Sequence, residues 1–419
     1  MNIKDLIKNG ELDSKFELLY CDVASAKIRY LSAVDSFNSI FGEKKEYMLF
    51  SAPGRTEVGG NHTDHQHGCV LAGSVNLDVI AVVSKNSDGI VRIKSEGYDM
   101  DEVDVNDLKP NPAEAGMAIA LIRGMLAEMK KIGCKIGGFD AYTTSNVLKG
   151  SGLSSSAAFE VLVGTIISGA FDNNVDAVTI AKLAQIAENQ YFLKPCGLMD
   201  QMASSVGGFT AIDFADAKNP IIESVSFDLS AQNHSLCIVN TGGNHADLTP
   251  DYASVPEDCF KVAKYFGKEY LREVDKAEFY KNIKALRNDL GDRAVLRAIH
   301  FFDENERAVA EKQALKENRF EDFLTLMNAS GTSSYKYLQN VYSAKNPQEQ
   351  GISLALALCE QVLKGRGAHR VHGGGFAGTI QAIVPNDLLD EFIKTLSSVF
   401  GDDSCYILNI RPKGGIRLI

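Results

Sequence analysis

The chain has 419 residues, of which 45% are hydrophobic and 23% charged, enough material for two globular domains with their own cores. Its formal net charge of −11 argues against a broad electrostatic attraction to nucleic acid or to an anionic membrane. The eight cysteines are scattered and form no C-x-x-C pair, which argues against a disulfide framework. We therefore expect a cytoplasmic protein with reduced thiols, in which any anionic ligand is held by local groups.

The first half of the chain has the pattern of an α/β domain. Residues 1–45 show helical periodicity and are predicted to form a helical extension. The longest apolar run, residues 161–171, is too short for a membrane span, and the N-terminus lacks the apolar region of a signal peptide. Strands are predicted at 47–51, 79–84, 91–95, 139–144 and 209–214, and helices at 113–131, 155–171 and 176–191.

The second half has the order of an α+β domain. A strand is predicted at 235–240, a long charged helical region at about 257–340, and a glycine-rich turn, strand, helix and strand from Gly373 to the end. The patterns predict an N-terminal domain over 1–215, which includes the helical extension, and a C-terminal domain over 216–419. They do not define an oligomeric state, and a monomer is compatible with them.

The first motif, APGRTEVGGNHTDH, spans residues 52–65 and follows a predicted strand. It places a cation, Arg55, and hydrogen-bonding side chains in one predicted loop, as the recognition of a polyol and a transferred phosphate requires. A solvated polar turn is the structural alternative. The close spacing of His62, Asp64, His65 and His67 also allows a metallohydrolase site.

The second motif, KGSGLSSSAA at residues 149–158, is a glycine-serine loop that runs into a predicted helix. Glycines allow the backbone to approach a ligand closely, and the N-terminus of a helix favours an anion. The sequence is not a G-x-x-x-x-G-K-[ST] loop, because no lysine follows its second glycine. The alternative is a helix that is merely capped by serine.

Two further motifs follow. In PCGLMDQ, residues 195–201, the Asp200 carboxylate could accept a hydroxyl proton or could cap a short helix, and Cys196 is predicted to be a packing residue. Glu188 lies twelve residues before Asp200.

The fourth motif is RVHGGGFAG, residues 370–378. It could lie against phosphates or another backbone, or could be an ordinary glycine turn.

In this order the four motifs resemble those of the galactokinases, a branch of the GHMP kinase family. The resemblance implies a two-domain fold, with a mixed-sheet N-terminal domain, a ferredoxin-like C-terminal domain and a site in the cleft between them. It also implies that ATP, with Mg²⁺ as cofactor, phosphorylates the anomeric hydroxyl of galactose. Sugar and ATP are then the only partners expected, with no nucleic acid and no membrane.

The resemblance also implies roles for individual residues. Asp200 would be the base or an orienting group, and Arg55 would stabilise its ionised form and the transferred phosphoryl group. The sugar contacts would be Asn61, His62, Asp64, Gly197, Asp200 and Tyr252. The nucleotide contacts would be Gly150, Ser151, Gly152, Leu153, Ser154, Ser155 and Ser156, and the Mg²⁺ contacts would be Ser156 and Glu188.

The chain departs from the galactokinase pattern G-R-V-N-L-I-G-E-H-T-D-Y at three positions, with Glu57 for Asn, Asn61 for Glu and His65 for Tyr. A neutral Asn61 would tolerate a 6-carboxylate, so a kinase for a relative such as galacturonate is an alternative. Val255 and Pro256 replace the family's arginine pair, and the chain has no tryptophan for an adenine pocket, which leaves GTP open as the phosphate donor. A sensor that binds galactose and ATP without catalysis is a further alternative.

Overall fold

A computed structural model describes residues 3–147, 152–194, 196–243 and 248–419. None of its described helices combines the length and apolar character needed to cross a bilayer. The helices are α1 Ile3–Lys8, α2 Asp13–Leu19, α3 Val23–Phe41, α4 Ala118–Lys131, α5 Ser155–Ala170, α6 Ala177–Ala187, α7 Met199–Val206, α8 Thr249–Tyr265, α9 Lys276–Lys281, α10 Ile283–Leu290, α11 Asp292–Lys316, α12 Phe320–Ser333, α13 Gly351–Leu363 and α14 Leu389–Phe400.

The strands of the described residues form two sheets. They are β1 Met48–Gly59, β2 Cys69–Lys85, β3 Ile90–Ser95, β4 Met100–Asp104, β5 Phe139–Ser145, β6 Phe209–Asp213, β7 Ile221–Val225, β8 His234–Asn240, β9 Ala368–Val371, β10 Thr379–Pro385, β11 Cys405–Leu408 and β12 Ile416–Arg417. The first sheet has the order β12-β1-β2-β5-β3-β4, with β6 and β7 joined to β2. Its β3–β5 pair is parallel and its β1–β2 pair antiparallel, which confirms a mixed sheet.

The second sheet has the order β11-β8-β10-β9 and is antiparallel. Numbered along the chain, this order is 4-1-3-2, and helices connect β8 to β9 and β10 to β11. This is the ferredoxin-like arrangement that the family resemblance implies. Both sheets belong to an α/β architecture, so the predicted fold class is confirmed.

Strand β1 is longer than predicted and contains much of the first motif. It continues through Arg55 and Glu57 to Gly59, with register shifts between Pro53 and Arg55 and between Glu57 and Gly59. The prediction of a loop over this part of the motif is therefore wrong. Pairing along β2 outweighs the local turn signal of proline and glycine, which appears as irregularities within the strand.

The first sheet also takes strands from beyond residue 215. Strand β7 pairs with β6, and β12, near the C-terminus, pairs with β1. A sequence pattern gives no sign of such a returning strand, because its partner lies more than three hundred residues away. The domain limits 1–215 and 216–419 stay a prediction.

Glu311 on α11 is fully buried against β1. Neither of its carboxyl oxygens has a hydrogen-bond partner among the described residues. A Cβ on Gly59 would lie 1.6 Å from its Oε2, so a larger residue there would have to displace the carboxyl group. Burial, followed by repulsion from Glu304, raises the pKa of Glu311 well above its ordinary value of 4.5. The folded chain therefore retains this proton where the unfolded chain has lost it.

The stability that this retained proton contributes is present below the ordinary pKa of a glutamate and is lost as the pH rises towards the raised folded pKa. We expect Glu311→Gln to remove that loss, so that the variant gains stability over the unaltered protein by about 1.4 kcal/mol per pH unit within that window. Urea unfolding between about pH 5 and 8 measures the difference. Glu306→Gln, on an exposed part of the same helix, is the control. Parallel stability curves for Glu311→Gln and the unaltered protein would contradict the expectation.

Candidate active site

A cleft of about 860 Å³ lies where the first motif, the third motif and the glycine-rich fourth motif meet. Residues from both halves of the chain line it. They include Arg55, Glu57, His62 and Asp64 from the first motif, Gly197 from the third, and Tyr252, Gly373 and Gly374 from the second half.

Arg55 and Asp200 form an ion pair beside this cleft. Arg55 lies on β1 and its Nε donates to Asp200 Oδ1 over 2.7 Å, while Asp200 lies in the first turn of α7. The Asp200 side chain is 35% exposed and that of Arg55 only 8% exposed. Burial opposes ionisation of Asp200, but the charge and hydrogen bond of Arg55 and the hydroxyl of Ser154 outweigh it and lower the Asp200 pKa. Asp200 is therefore a carboxylate at neutral pH.

The described part of the glycine-serine loop lies against this pair. The backbone N–H of Arg55 donates to the Leu153 carbonyl over 3.0 Å, and its guanidinium donates to the Gly152 carbonyl. The Ser154 hydroxyl donates to Asp200 and makes no capping bond to α5. Ser155 and Ser156 form the first turn of α5, while Gly150 and Ser151 lie outside the described residues.

The fourth motif packs against this loop. A Cβ on Gly152 would lie 3.1 Å from Nδ1 of His372, and one on Gly374 would lie 2.6 Å from Cε1 of Tyr252. The Tyr252 hydroxyl donates to the Gly375 carbonyl over 2.9 Å. Gly152 of the loop therefore allows close contact with His372, and Gly374 of the fourth motif allows close contact with Tyr252.

His62, Asp64 and Gly197 meet in the cleft. His62 has a left-handed backbone with φ of 58°, and its Nε2 lies 3.0 Å from the Gly374 carbonyl. A Cβ on Gly197 would lie 2.6 Å from Oδ2 of Asp64. The pKa of Asp64 is raised above its ordinary value, because the effect of burial exceeds the opposing effect of the nearby His62. The first and third motifs are thus in direct contact at the predicted sugar site.

This contact gives a testable expectation for Gly197→Ala. The new methyl group must displace the Asp64 carboxylate, and a lost charged hydrogen bond costs about 1.5–3 kcal/mol. We expect KM for the sugar to rise by about 10- to 100-fold with a smaller change in kcat. Steady-state kinetics with varied sugar measures this, and thermal unfolding checks that the variant is folded. An unchanged KM in folded Gly197→Ala would show that Asp64 has no contact with the sugar.

The histidines of the first motif have separate environments. The His67 ring stacks on Tyr270 with centroids 3.6 Å apart. Both ring nitrogens of His65 are buried without a hydrogen-bond partner among the described residues, and burial lowers its pKa to about 3. Within the described ranges, no three His, Cys, Asp or Glu side chains are arranged to hold a metal ion. These contacts do not support the metallohydrolase alternative.

Glu188 lies in a buried polar cluster beside the third motif. Lys194 Nζ donates to its Oε1 over 2.9 Å and Gln201 Nε2 to its Oε2 over 2.7 Å. Gln201 also donates to Glu160 Oε2 over 3.1 Å, and the other Glu160 oxygen has no described partner. Burial, followed by repulsion from Glu188, raises the pKa of Glu160. The lysine and the second glutamate of this cluster were not assigned roles from the sequence.

Asn61 does not lie where the sequence predicts. Its side chain is fully buried, and its amide nitrogen donates to Glu57 Oε1 over 2.7 Å instead of facing the cleft. Glu57, for which the sequence shows only a departure from the family pattern, lines the cleft in its place. Alternation along β1 was the available signal, because Arg55 and Glu57 share one face of the strand.

Comparisons with known proteins agree with this fold. The family described as "GHMP kinases N terminal domain" matches residues 120–208, and the "Galactokinase galactose-binding signature" matches residues 35–85. Galactokinases of Streptomyces coelicolor and Fusobacterium nucleatum are each 30% identical to this chain over 91% of its length, and the matches cover 97% and 98% of those proteins. The structure of Lactococcus lactis galactokinase complexed with galactose has a TM-score of 0.77 and 26% identity, covering 92% of this chain and 99% of that one.

The two sheets, the cleft and the loop before α5 define a kinase of the GHMP class, a phosphotransferase with an alcohol group as acceptor. Methanococcus jannaschii mevalonate kinase, at 14% identity and a TM-score of 0.63, shares this fold. Within the class, the chain belongs to the galactokinase family.

Proposed function

We propose that this protein is an ATP-dependent galactose kinase that phosphorylates the anomeric C1 hydroxyl. The observation that carries this proposal is the position of Asp200, which is held between Arg55 and Ser154 beside the sugar cleft and the start of α5. An acceptor hydroxyl at Asp200 would thus lie beside the phosphate donor. The presence of galactose in the related Lactococcus lactis structure supports this choice of sugar.

Phosphoryl transfer depends mainly on positioning and on charge stabilisation. Asp200, ionised at neutral pH, accepts or orients the proton of the C1 hydroxyl as its oxygen attacks the γ-phosphorus. Arg55 stabilises the Asp200 carboxylate and the negative charge of the phosphoryl group in the transition state. His62, Asp64, Gly197 and Tyr252 hold the sugar in the cleft.

The nucleotide phosphates bind at the start of α5. Because Ser154 donates to Asp200 and does not cap the helix, the first N–H groups of α5 are left for an anion. Gly152 to Ser156 form the described part of this cradle, with Gly150 and Ser151 before it. His372 and Gly373 support it from the second half of the chain.

Magnesium fits the oxygen donors in this region. Ser156 lies in the first turn of α5, and the neighbouring cluster supplies Glu188 and a buried Glu160 oxygen without a described partner. Hydroxyl and carboxylate oxygens are the donors that Mg²⁺ prefers. Ser156 and Glu188 would hold the ion, which when bound neutralises phosphate charge. Lys194, which contacts Glu188, balances part of the cluster's negative charge.

The test is ADP release with Mg-ATP across galactose, N-acetylgalactosamine, glucose, galacturonate and 6-deoxygalactose. We expect galactose to have the highest kcat/KM and galacturonate to be a poor acceptor. Binding of galactose and ATP without turnover of any sugar would contradict a kinase and favour a sensor. A preference for galacturonate would contradict the proposed acceptor but not the reaction type.

A further inference from the structure

Positions 57 and 61 carry the reverse of the galactokinase pattern, and in this structure the two side chains are bonded to each other. Asn61 Nδ2 donates to Glu57 Oε1 over 2.7 Å. A carboxylate is therefore present near the position where the family has one. It comes from Glu57 within β1 and not from position 61, which lies beyond the end of that strand. The question is which of the two side chains can reach a sugar.

The amide of Asn61 is fully used by the protein. Besides its bond to Glu57, Nδ2 donates to the Gly373 carbonyl over 2.8 Å. Its Oδ1 accepts from Asn340 Nδ2 over 2.9 Å and from the Ser334 hydroxyl over 3.3 Å. An asparagine amide has two N–H bonds and two acceptor positions, so none is left for a ligand. With no exposed surface, Asn61 can only position its neighbours.

Glu57 has a free oxygen on the cleft wall. Its Oε1 accepts from Asn61 and, over 3.0 Å, from Arg370 Nη2. Its Oε2 accepts no hydrogen bond from the described residues, and the side chain lines the cleft. Arg370 is fully buried and also donates to the Val58 carbonyl over 2.6 Å, which fixes the guanidinium behind the carboxylate. The two donors thus orient Glu57 and leave one acceptor oxygen for a ligand.

The strand sets where that oxygen lies relative to the reaction. Arg55 and Glu57 pair in regular register with Ser74 and Ala72 of β2, so they share one face of β1. Two residues along a strand correspond to about 7 Å. With C1 beside the Arg55–Asp200 pair, Glu57 therefore lies towards the far end of a bound hexose, where C4 and C6 are found.

We propose that Glu57 determines acceptor specificity by accepting a hydrogen bond from the C4 or C6 hydroxyl of the sugar. This inference rests on the proposed galactose kinase function. A sugar with a carboxylate at C6 would bring a further acidic group beside Glu57 and Asp64, and the Arg55 guanidinium that lines the cleft is already paired with Asp200. The tolerance for a 6-carboxylate that Asn61 suggested is thereby lost.

The test uses Glu57→Gln. In this variant an NH₂ donor replaces Oε2, the acceptor oxygen that faces the sugar. Asn61 and Arg370 both donate to the Oε1 position, which holds the amide oxygen of glutamine there and turns its NH₂ group towards the sugar. Galactose, 4-deoxygalactose and 6-deoxygalactose are compared by kcat/KM. Glu17→Gln, on the exposed face of α2, is the matched control.

We expect Glu57→Gln to lower kcat/KM for galactose by about 10- to 100-fold and to change it less than threefold for one of the two deoxy sugars. The deoxy sugar whose kcat/KM changes least is the one that lacks the hydroxyl bonded to Glu57. Glu57→Asp, which keeps the charge but withdraws it by one methylene group, should show the same coupling and serves if Glu57→Gln fails to fold. Equal losses on all three sugars, a structural effect, would overturn the inference alone. Absence of galactose turnover by the unaltered chain would overturn the proposed function and this inference with it.

Discussion

Asp200→Asn is expected to lower kcat by about 10²- to 10⁴-fold, the range for removal of a positioned proton acceptor. Asparagine has nearly the shape of aspartate and can still accept from Arg55, but it carries no charge and cannot take the proton of the C1 hydroxyl. Arg55 and Ser154 then lose their anionic partner. We expect KM for galactose to change much less than kcat, because the hydroxyl can still bond to the amide.

Single-turnover kinetics with Mg-ATP and saturating galactose measures this loss directly. Asp172→Asn is a matched control, because Asp172 is 80% exposed and has a left-handed backbone, with φ of 53°, that asparagine also adopts. Thermal unfolding checks that both variants are folded. A folded Asp200→Asn protein with a near-normal rate would exclude Asp200 as the proton acceptor.

Arg55→Ala is expected to lower kcat by about 10²- to 10³-fold, as the removal of one donor to transition-state charge does. It should also change the pH dependence. In the unaltered protein Arg55 and Ser154 lower the pKa of Asp200 against the effect of burial. Without Arg55 less opposes the effect of burial, so the Asp200 pKa rises and the acid limb of the kcat profile moves to higher pH.

Arg55→Lys separates the charge from the hydrogen bonds, because lysine keeps the cation but lacks the forked guanidinium that contacts Asp200 and Gly152. We expect an acid limb between those of the unaltered protein and Arg55→Ala, with kcat still reduced. The kcat–pH profile of each variant is the measurement. If Arg55→Ala lowers kcat but does not shift the acid limb, Arg55 does not control the ionisation of Asp200.

The site was predictable where chemistry and chain order coincide. Arg55, Asp200 and Ser154 lie in short motifs whose residue types are unusual together, and the structure brings these three side chains into direct contact. The order of strand and helix patterns predicts an α/β first half and an α+β second half, while the mixed first sheet and the ferredoxin-like second sheet are what the family resemblance implies. In each case the signal is local, or the resemblance to a family supplies the missing long-range pairing.

What could not be predicted depends on partners far away in the chain. The burial of Asn61 results from Asn340, Ser334 and Gly373, which arrive from the second half. The position of Glu57 on the cleft wall depends on regular pairing of β1 with β2, although the local proline and glycine favour a turn. A one-dimensional pattern assigns a type of residue to a position but does not say which of two neighbouring polar side chains faces the ligand.

The position of the phosphate in the product shows whether the enzyme acts on the C1 hydroxyl of galactose. After incubation with Mg-ATP and galactose, coupled ³¹P and ¹H NMR identifies the carbon that carries the new phosphate ester. We expect galactose 1-phosphate and ADP in equal amounts. Phosphate on any other hydroxyl, or ADP formed without a sugar phosphate, would contradict a galactose 1-kinase built on Arg55 and Asp200.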